Sequence, residues 1–295
     1  MLAVRGRDAG EGDLSDSSPP HRAVARILSE LVRWLRVALA GLAFLGFWLG
    51  AAFSAAVVLP LCLVANRRSS RFDRAVVCQR WIQRTFVFLH DYLRWCGLLH
   101  FDPRAVDRSV LAAGFVLVAN HPTLVDVAAL SAVYGQLTCV AKSPLFRSPV
   151  IGHILRACAY VDGGGSDPFS GALVVGQAVE RVSGGMPVLI FPEGTRSPED
   201  GLHPFKQGAF EIACRANVPV LPVLIRCTPP ALGKGRPWYD IPPRTAQFTV
   251  TPMAPLWPRN FGRDAAMMTA ACENSYRVAL GLEPAVSPGA LVARS

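Results

Sequence analysis

Asn120-His121-Pro122-Thr123-Leu124-Val125-Asp126 is the stretch that decides how this 295-residue chain is read. It follows an apolar run, residues 110–119, of the kind that forms a strand buried on both faces. Pro122 suits the first turn of a helix, where its missing N–H would have no partner anyway, and the pattern predicts that helix over 122–134. His121 then stands beyond the C-terminal end of a strand, where open α/β sheets bind their ligands. Asp126 follows five positions later. That spacing is poor within one helix, but it works when the histidine precedes the helix and its side chain bends back. A carboxylate on one imidazole nitrogen fixes the tautomer, and the other nitrogen can take a proton from a hydroxyl. The plainer reading of His121, taken alone, is a strand-end histidine with a structural hydrogen bond.

Downstream, Phe191-Pro192-Glu193-Gly194-Thr195-Arg196-Ser197 also ends a short apolar run, residues 187–191. Its glycine can bring backbone N–H groups close to an anion. Arg196 offers a planar fork matched to phosphate oxygens, and Thr195 and Ser197 add hydroxyls. Lys206 and Gln207 open the next helix and extend the anion site. The competing reading is an ordinary polar turn capping a strand. Only three of the thirty basic residues are Lys (142, 206 and 234). Lys142 and Lys206 lie next to the motifs, where a compact, flexible ammonium differs from a guanidinium.

Around these heptads, strands and helices alternate from about Asp107 onward. Short strands are expected at 137–141, 159–161, 218–225 and 248–251. Helices are expected at 149–157, 171–182, 205–216 and 264–280. Short apolar strands separated by helices indicate an α/β sheet covered on both faces. Gly163-Gly164-Gly165 is not a phosphate-binding P-loop, because no Gly-Lys-Ser/Thr follows it; it reads as a mobile loop.

The two heptads, in this order and each at a strand end, resemble the glycerolipid acyltransferase family, specifically the 1-acyl-glycerol-3-phosphate acyltransferases. The first is similar to the family's N-H-x4-D motif and the second to its F-P-E-G-T-R-S motif. Val218-Pro219-Val220-Leu221-Pro222-Val223 is similar to the apolar, proline-bearing strand that follows. The resemblance spans residues 85–260. It implies an acyl thioester donor, on coenzyme A or acyl carrier protein, and a lysolipid acceptor. His121, oriented by Asp126, would deprotonate the acceptor hydroxyl for direct attack, with no acyl-enzyme, metal or other cofactor. Glu193, Gly194, Thr195 and Arg196, with Lys142 and Lys206, would place the acceptor phosphate. Asn120, Pro192, Ser197 and Pro222 would support them.

One position departs from the family. Gly163 follows Ala159-Tyr160-Val161-Asp162 where an Arg is usual. Arg156 or Lys142 are the candidates to replace it. The departure admits another acceptor: a different lysolipid, or the hydroxyl of a specialised lipid or pigment. A hydrolase is disfavoured, since there is no G-x-S-x-G elbow. A catalytically silent lipid-binding scaffold is the rival from another class, and the intact set His121, Asp126, Glu193 and Arg196 argues against it.

The N-terminal third reads differently. Residues 37–65 carry no charge and are long enough to cross a bilayer, which takes about 20 apolar residues. A hairpin entering and leaving one face is the alternative, because Pro60 and three glycines allow a break. Residues 22–94 hold eleven Arg against Glu30, Asp73 and Asp91. Basic residues flanking an apolar run favour anionic headgroups, and no nucleic-acid module is recognisable. The whole chain has a net charge of +9, yet only 17% of its residues are charged and 51% are hydrophobic, so part of the apolar excess is expected to face lipid. Arg is somewhat denser after the run than before it, which leans toward a catalytic domain on the cytoplasmic face. Residues 75–99 form an amphipathic pattern that fits either a helix in the headgroup layer or one facing a core. The eight cysteines form no C-x-x-C pair and read as small buried hydrophobes in a reducing compartment.

The expected layout is therefore a disordered tail at 1–21, a membrane anchor at 22–74, an amphipathic helix and linker at 75–106, an acyltransferase-like domain at 107–285 and a tail at 286–295. The fold class is α/β, a mixed sheet flanked by helices, with an N-terminal membrane helix or helical hairpin. Nothing in the sequence fixes the oligomeric state.

Overall fold

A computed structural model describes residues 19–103, 114–164 and 168–283. The tail expected at 286–295, most of the tail at 1–21 and the linker residues 104–113 lie outside these. Residues 19–21, placed in the tail from sequence, begin a helix.

Seven strands form one mixed sheet: β1 (Leu99–Pro103), β2 (Val116–Ala119), β3 (Thr138–Ala141), β4 (Val161–Asp162), β5 (Val188–Ile190), β6 (Val220–Thr228) and β7 (Ala246–Pro252). The order is β1-β7-β6-β2-β5-β3-β4. From β4 to β6 neighbouring strands run parallel, β7 is antiparallel to β6, and β1 is parallel to β7. The central strand β2 is Val-Leu-Val-Ala, buried along its whole length. Parallel strands covered on both faces need such continuous apolar runs.

Helices α4 (Asp126–Tyr134), α5 (Ser143–Phe146), α6 (Ile151–Ala157), α7 (Pro168–Ser183), α8 (Gly208–Ala216) and α9 (Ala265–Leu280) connect and cover the sheet. On one face Leu117, Leu221 and Phe248 pack with Leu130 of α4. On the other, Val118 and Val220 pack with Val182 of α7, Phe210 of α8 and Met268 and Tyr276 of α9. Phe210 is wholly buried, so truncating it to Ala removes about 3–5 kcal/mol.

The N-terminal helix runs through α1 (Pro19–Phe53), one π-type turn (Ser54–Val58) and α2 (Leu59–Ala65) without a reversal. This corrects the hairpin alternative for residues 37–65. Pro60 lacks an N–H and its ring would crowd the carbonyl four residues back; the wider π turn just before it absorbs that clash. The chain reverses after Ala65, and Ser70 caps α3 (Arg71–Trp95) by accepting from the Asp73 N–H at 3.2 Å. The α3 helix runs back against α1 and α2, so the pair is a helical hairpin at a larger scale. One face of α3 buries Cys78, Gln79, Ile82 and Leu93, while Phe88 and Trp95 project outward. The core-facing reading of the 75–99 pattern thus holds for one face, and the other face is exposed. The only hydroxyl in the 37–65 run, on Ser54, accepts from Trp81 Nε1 at 2.9 Å.

Ala23–Ala65 is long and apolar enough to cross a membrane, and only 22% of its most apolar window is buried. A core helix would be covered. Here Leu42, Leu45, Trp48, Leu49, Phe53, Leu61 and Val64 are exposed, a contiguous apolar surface of the kind that meets lipid or a partner.

Two elements differ from expectation in ways that matter. The sheet begins at β1, before residue 107, because Leu99 and Phe101 turn inward between exposed His100 and Asp102; the segment is too short for its alternation to stand out. And α4 begins at Asp126, four residues later than expected, so Pro122 lies in a turn rather than in a first helical turn.

Candidate active site

The later start of α4 is what brings the pair together. His121 Nδ1 lies 2.6 Å from Asp126 Oδ2. Thr123 donates to the same carboxylate through its N–H (2.8 Å to Oδ2) and its hydroxyl (2.5 Å to Oδ1). The loop 122–125 therefore wraps around the Asp126 carboxylate, which a continuous helix from Pro122 would not allow. A carboxylate can only accept, so the network puts the imidazole proton on Nδ1 and leaves Nε2 as a lone-pair base. Asp126 is fully buried while His121 keeps 20% of its side chain exposed. Burial raises the Asp126 carboxyl above its ordinary range, and the donors from His121 and Thr123 oppose that rise.

Asn120 anchors this turn to the sheet. Its side chain donates to Ile225 O (2.9 Å) and accepts from Ile225 N–H (2.7 Å), extending the β2–β6 pairing by one side chain. Below it, the Tyr276 hydroxyl accepts from Val223 N–H and lies 2.9 Å from Val118 O. Pro222 is paired with Val118 in the register and supplies no N–H there. Pro222 is buried in β6, so its support is to the sheet and not to the site's surface.

The second heptad locks onto the first through the main chain. Ser197 N–H donates to His121 O (2.8 Å), and His121 N–H lies 3.2 Å from Glu193 Oε1 and 3.0 Å from Ser197 Oγ. Glu193 is buried, and both its oxygens are taken: Oε1 also accepts from Ser197 Oγ (2.5 Å) and Oε2 from His203 N–H (2.9 Å). Glu193, expected to help place the acceptor phosphate, thus has its carboxylate turned into the protein. A carboxylate turned into a ring of donors braces the loop, and an anion would be repelled by it. The Phe191 ring stacks on His121, with centroids 4.1 Å apart and 18° between planes.

The basic groups sit around Gly194. Its φ is +68°, which favours glycine, and a Cβ there would meet Lys206 Nζ at 2.9 Å, so a larger residue would also push the lysine's flexible tip aside. Pro192 is buried, and its carbonyl accepts from the Lys206 N–H at 2.9 Å. Thr195 is half-buried. Arg196 donates Nη1 to the carbonyls of Gly233 (3.0 Å) and Leu232 (3.3 Å). Lys142 is exposed just past β3, which runs parallel to β5 and β2, so it stands at the same end of the sheet as His121. Gly163 closes the same edge, its N–H on Ala141 O at 2.7 Å; a Cβ would approach that oxygen to 3.0 Å, so a larger residue needs the β3 end to yield. Of the two candidates to replace the missing Arg, only Lys142 is at this end; Arg156 lies in a separate cleft with Arg71 and Arg74.

Sequence reasoning missed the segment 229–244, which crosses the site. Leu124 N–H donates to Leu232 O (3.1 Å), and Arg236 pairs with Glu199 (2.5 Å). Trp238 packs on Phe44 of α1 at 5.6 Å. One segment therefore touches the His121 turn, Arg196 and the N-terminal helix. Thr123 was also missed, although Thr-x-x-Asp at 123–126 is the spacing of a hydroxyl that meets a carboxylate one turn on.

Residues 103–226 match the family model described as Acyltransferase. A 1-acyl-sn-glycerol-3-phosphate acyltransferase of Brassica napus is 36% identical over 113 residues, covering 38% of this chain and 33% of that protein. The match therefore spans about a third of that relative's length. The human 1-acyl-sn-glycerol-3-phosphate acyltransferase beta is 29% identical over 172 residues, covering 57% of this chain and 58% of the human one. Among solved structures, PlsC from Thermotoga maritima superposes with a TM-score of 0.66 over 89% of this chain and 99% of that one, at 21% identity; this is a likeness of fold.

Proposed function

We propose that this chain, whose residues 103–226 match the acyltransferase family model, transfers a fatty acyl group from a thioester donor, acyl-CoA or acyl carrier protein, to the free hydroxyl of lysophosphatidic acid or a related lysolipid. The observation that carries this reading is the His121–Asp126 pair, with its second nitrogen unencumbered, beside a glycine-centred basic loop. His121 Nε2 takes the acceptor's hydroxyl proton as the oxygen attacks the thioester carbonyl. Asp126 holds the tautomer and stabilises the imidazolium. The tetrahedral intermediate collapses, the thiolate leaves, and the imidazolium returns its proton to the leaving sulfur. Lys206, Arg196 and Lys142 meet the acceptor phosphate; Arg196 exchanges main-chain carbonyls for phosphate oxygens, a stronger, charge-assisted partner. Splitting phosphate binding from proton transfer fixes the reacting atoms in place, which is where much of the rate comes from.

The exposed apolar surface of α1 and α2 supports residence at a membrane, where a lysolipid acceptor lives, and we place the catalytic domain on its cytoplasmic side. Gly163 supports one second reading: with no Arg at that edge, the phosphate grip is weaker, and a lipid hydroxyl without a glycerophosphate is admitted by the same chemistry.

The test is acyl transfer by detergent-purified protein, from labelled acyl-CoA and acyl carrier protein, onto lysolipids and lipid alcohols, with His121→Ala in parallel. Conversion of lysophosphatidic acid that the variant lacks supports the first reading. Conversion of only a phosphate-free acceptor moves the assignment to the second. Failure of all donors and acceptors with folded protein rejects both.

A further inference from the structure

A cleft of about 290 Å3 opens between α2, α3 and α6, lined by Leu63, Arg71, Arg74, His153, Arg156 and Ala159 among others. It belongs to the opposite end of the sheet from His121. Ala159 precedes β4, and it packs with Ala75 and with Met186, which precedes β5; His121 follows the C-terminal end of β2, to which these strands are parallel. No carboxylate lines the cleft. Two acids on the neighbouring helices have partners of their own: Glu180 lies 3.9 Å from Arg71 Nη1, and Asp73 accepts from Ser70 Oγ at 2.8 Å. Behind Ala159, the buried Arg181 donates Nε to the Ala159 carbonyl at 2.7 Å and pairs with Glu180 at 3.5 Å.

Two polar atoms here are buried without a hydrogen-bond partner among the described residues: Arg74 Nε and His153 Nε2. Buried polar atoms are nearly always paired; Arg74 Nε is a donor, and His153 Nε2 is one when it carries the ring proton, so the two together in a single cationic cleft point to an anionic acceptor as ligand. Arg156 gives Nη1 to Phe146 O (2.7 Å) and holds the rest of its fork at the cleft. The position in the fold says which anion. The charge-free run ends at Ala65 and is followed at once by Arg67 and Arg68, while Leu61 and Val64 in the last turns of α2 are 64% and 60% exposed. That junction is where an apolar helix surface gives way to headgroups, and cationic residues at such a junction select anionic lipid.

We infer that this cleft binds the phosphate of an anionic phospholipid headgroup, as a lipid-selective docking site separate from the acceptor site. The inference rests on the membrane-facing reading of α1 to α3 and not on acyl transfer, so its test uses no acyl donor.

Full-length protein in a neutral detergent is titrated with short-chain phosphatidylglycerol while its melting temperature is followed, with short-chain phosphatidylcholine and inorganic phosphate as parallel arms. The expected result is a saturable rise with phosphatidylglycerol, none with phosphatidylcholine and a much smaller one with phosphate. Arg74→Gln combined with His153→Gln abolishes the rise; Arg67→Gln combined with Arg68→Gln, which removes more charge from the adjoining turn, keeps it. A rise that survives the cleft variant, or is lost equally in the neighbouring one, overturns the inference in favour of diffuse charge. A full rise with inorganic phosphate alone overturns it in favour of a soluble ligand. Should the double variant fail to fold, the exposed Arg156→Gln decides in its place: a right-shifted titration supports the site and an unchanged one rejects it. Acyl transfer in detergent is expected to persist in all these variants, which separates this result from the catalytic reading.

Discussion

The Phe191 ring lies nearly parallel to the imidazole of His121 at 4.1 Å, so the first residue of one motif is the floor under the working residue of the other. Each ring fixes the plane of its neighbour. A ring pair of this kind contributes about 0.5–1.5 kcal/mol beyond its burial, and the same amount in the transition state is a factor of about 2–10 in rate. Phe191→Leu is expected to lower kcat by that factor with little change in the acceptor KM. A large KM effect with unchanged kcat would show that the ring acts on substrate and not on His121.

Asp126→Asn separates catalysis from stability. The amide can keep the Thr123 and His121 contacts in number, but it no longer stabilises an imidazolium, so activity is expected to fall by about 10²–10⁴-fold. Stability moves the other way. Burial raises the Asp126 carboxyl, so its ionisation costs folding free energy once the pH exceeds the ordinary carboxylate value, and below that value the carboxyl is neutral folded and unfolded alike. The variant should therefore melt at or above the parent at neutral pH, and the gap should close as the pH falls toward the ordinary carboxylate range. Thermal melts of both proteins across that range check the sign.

Gly194→Ala tests the approach of Lys206. The added Cβ falls 2.9 Å from Nζ, at a φ of +68° that alanine resists. Strain of about 1 kcal/mol and a displaced ammonium are expected to raise the KM for phosphate-bearing acceptors several-fold, and to leave phosphate-free acceptors less affected. Equal loss on both acceptor types would assign the glycine a purely structural part.

Tyr276→Phe deletes the hydroxyl that bridges β2 and β6. Val118 O and Val223 N–H are then left buried beside Pro222, at a cost of about 1–3 kcal/mol. Denaturant melts should show that loss, with the residual activity of folded protein close to that of the parent, since Tyr276 contacts the strands and not the site.

Trp238→Ala probes the bridge from α1 to the site. Trp238 lies against Phe44 and over Gly41, where a Cβ would be 3.4 Å from its ring, and its segment supplies the carbonyls that hold Arg196. Loosening it is expected to raise the acceptor KM more than it lowers kcat; unchanged kinetics would detach the segment from the site.

Local patterns carried much of this protein. The heptads at 120–126 and 191–197, the alternation of short apolar strands with helices, and the charge-free run at 37–65 are properties of neighbouring residues, and they pointed to the α/β class, the hydrogen-bonded His121–Asp126 pair and the apolar helix. Thr123 was within reach of the same reasoning. The rest depends on contacts between distant segments. Strand order is set by hydrogen bonds between residues far apart in the chain, so nothing near Leu99 says that β1 will join β7. Glu193 reads as part of a phosphate site until His121, Ser197 and His203 are seen to surround it. Phe191 meets His121 only because β2 and β5 are neighbours in parallel register, and the segment 229–244 meets α1 through Trp238, far from Phe44 and Gly41 in the chain. Sequence alone singled out the residues proposed to carry the chemistry, because their spacing is local. Tertiary structure decided which way each one faces, because facing is set by whatever the fold brings alongside.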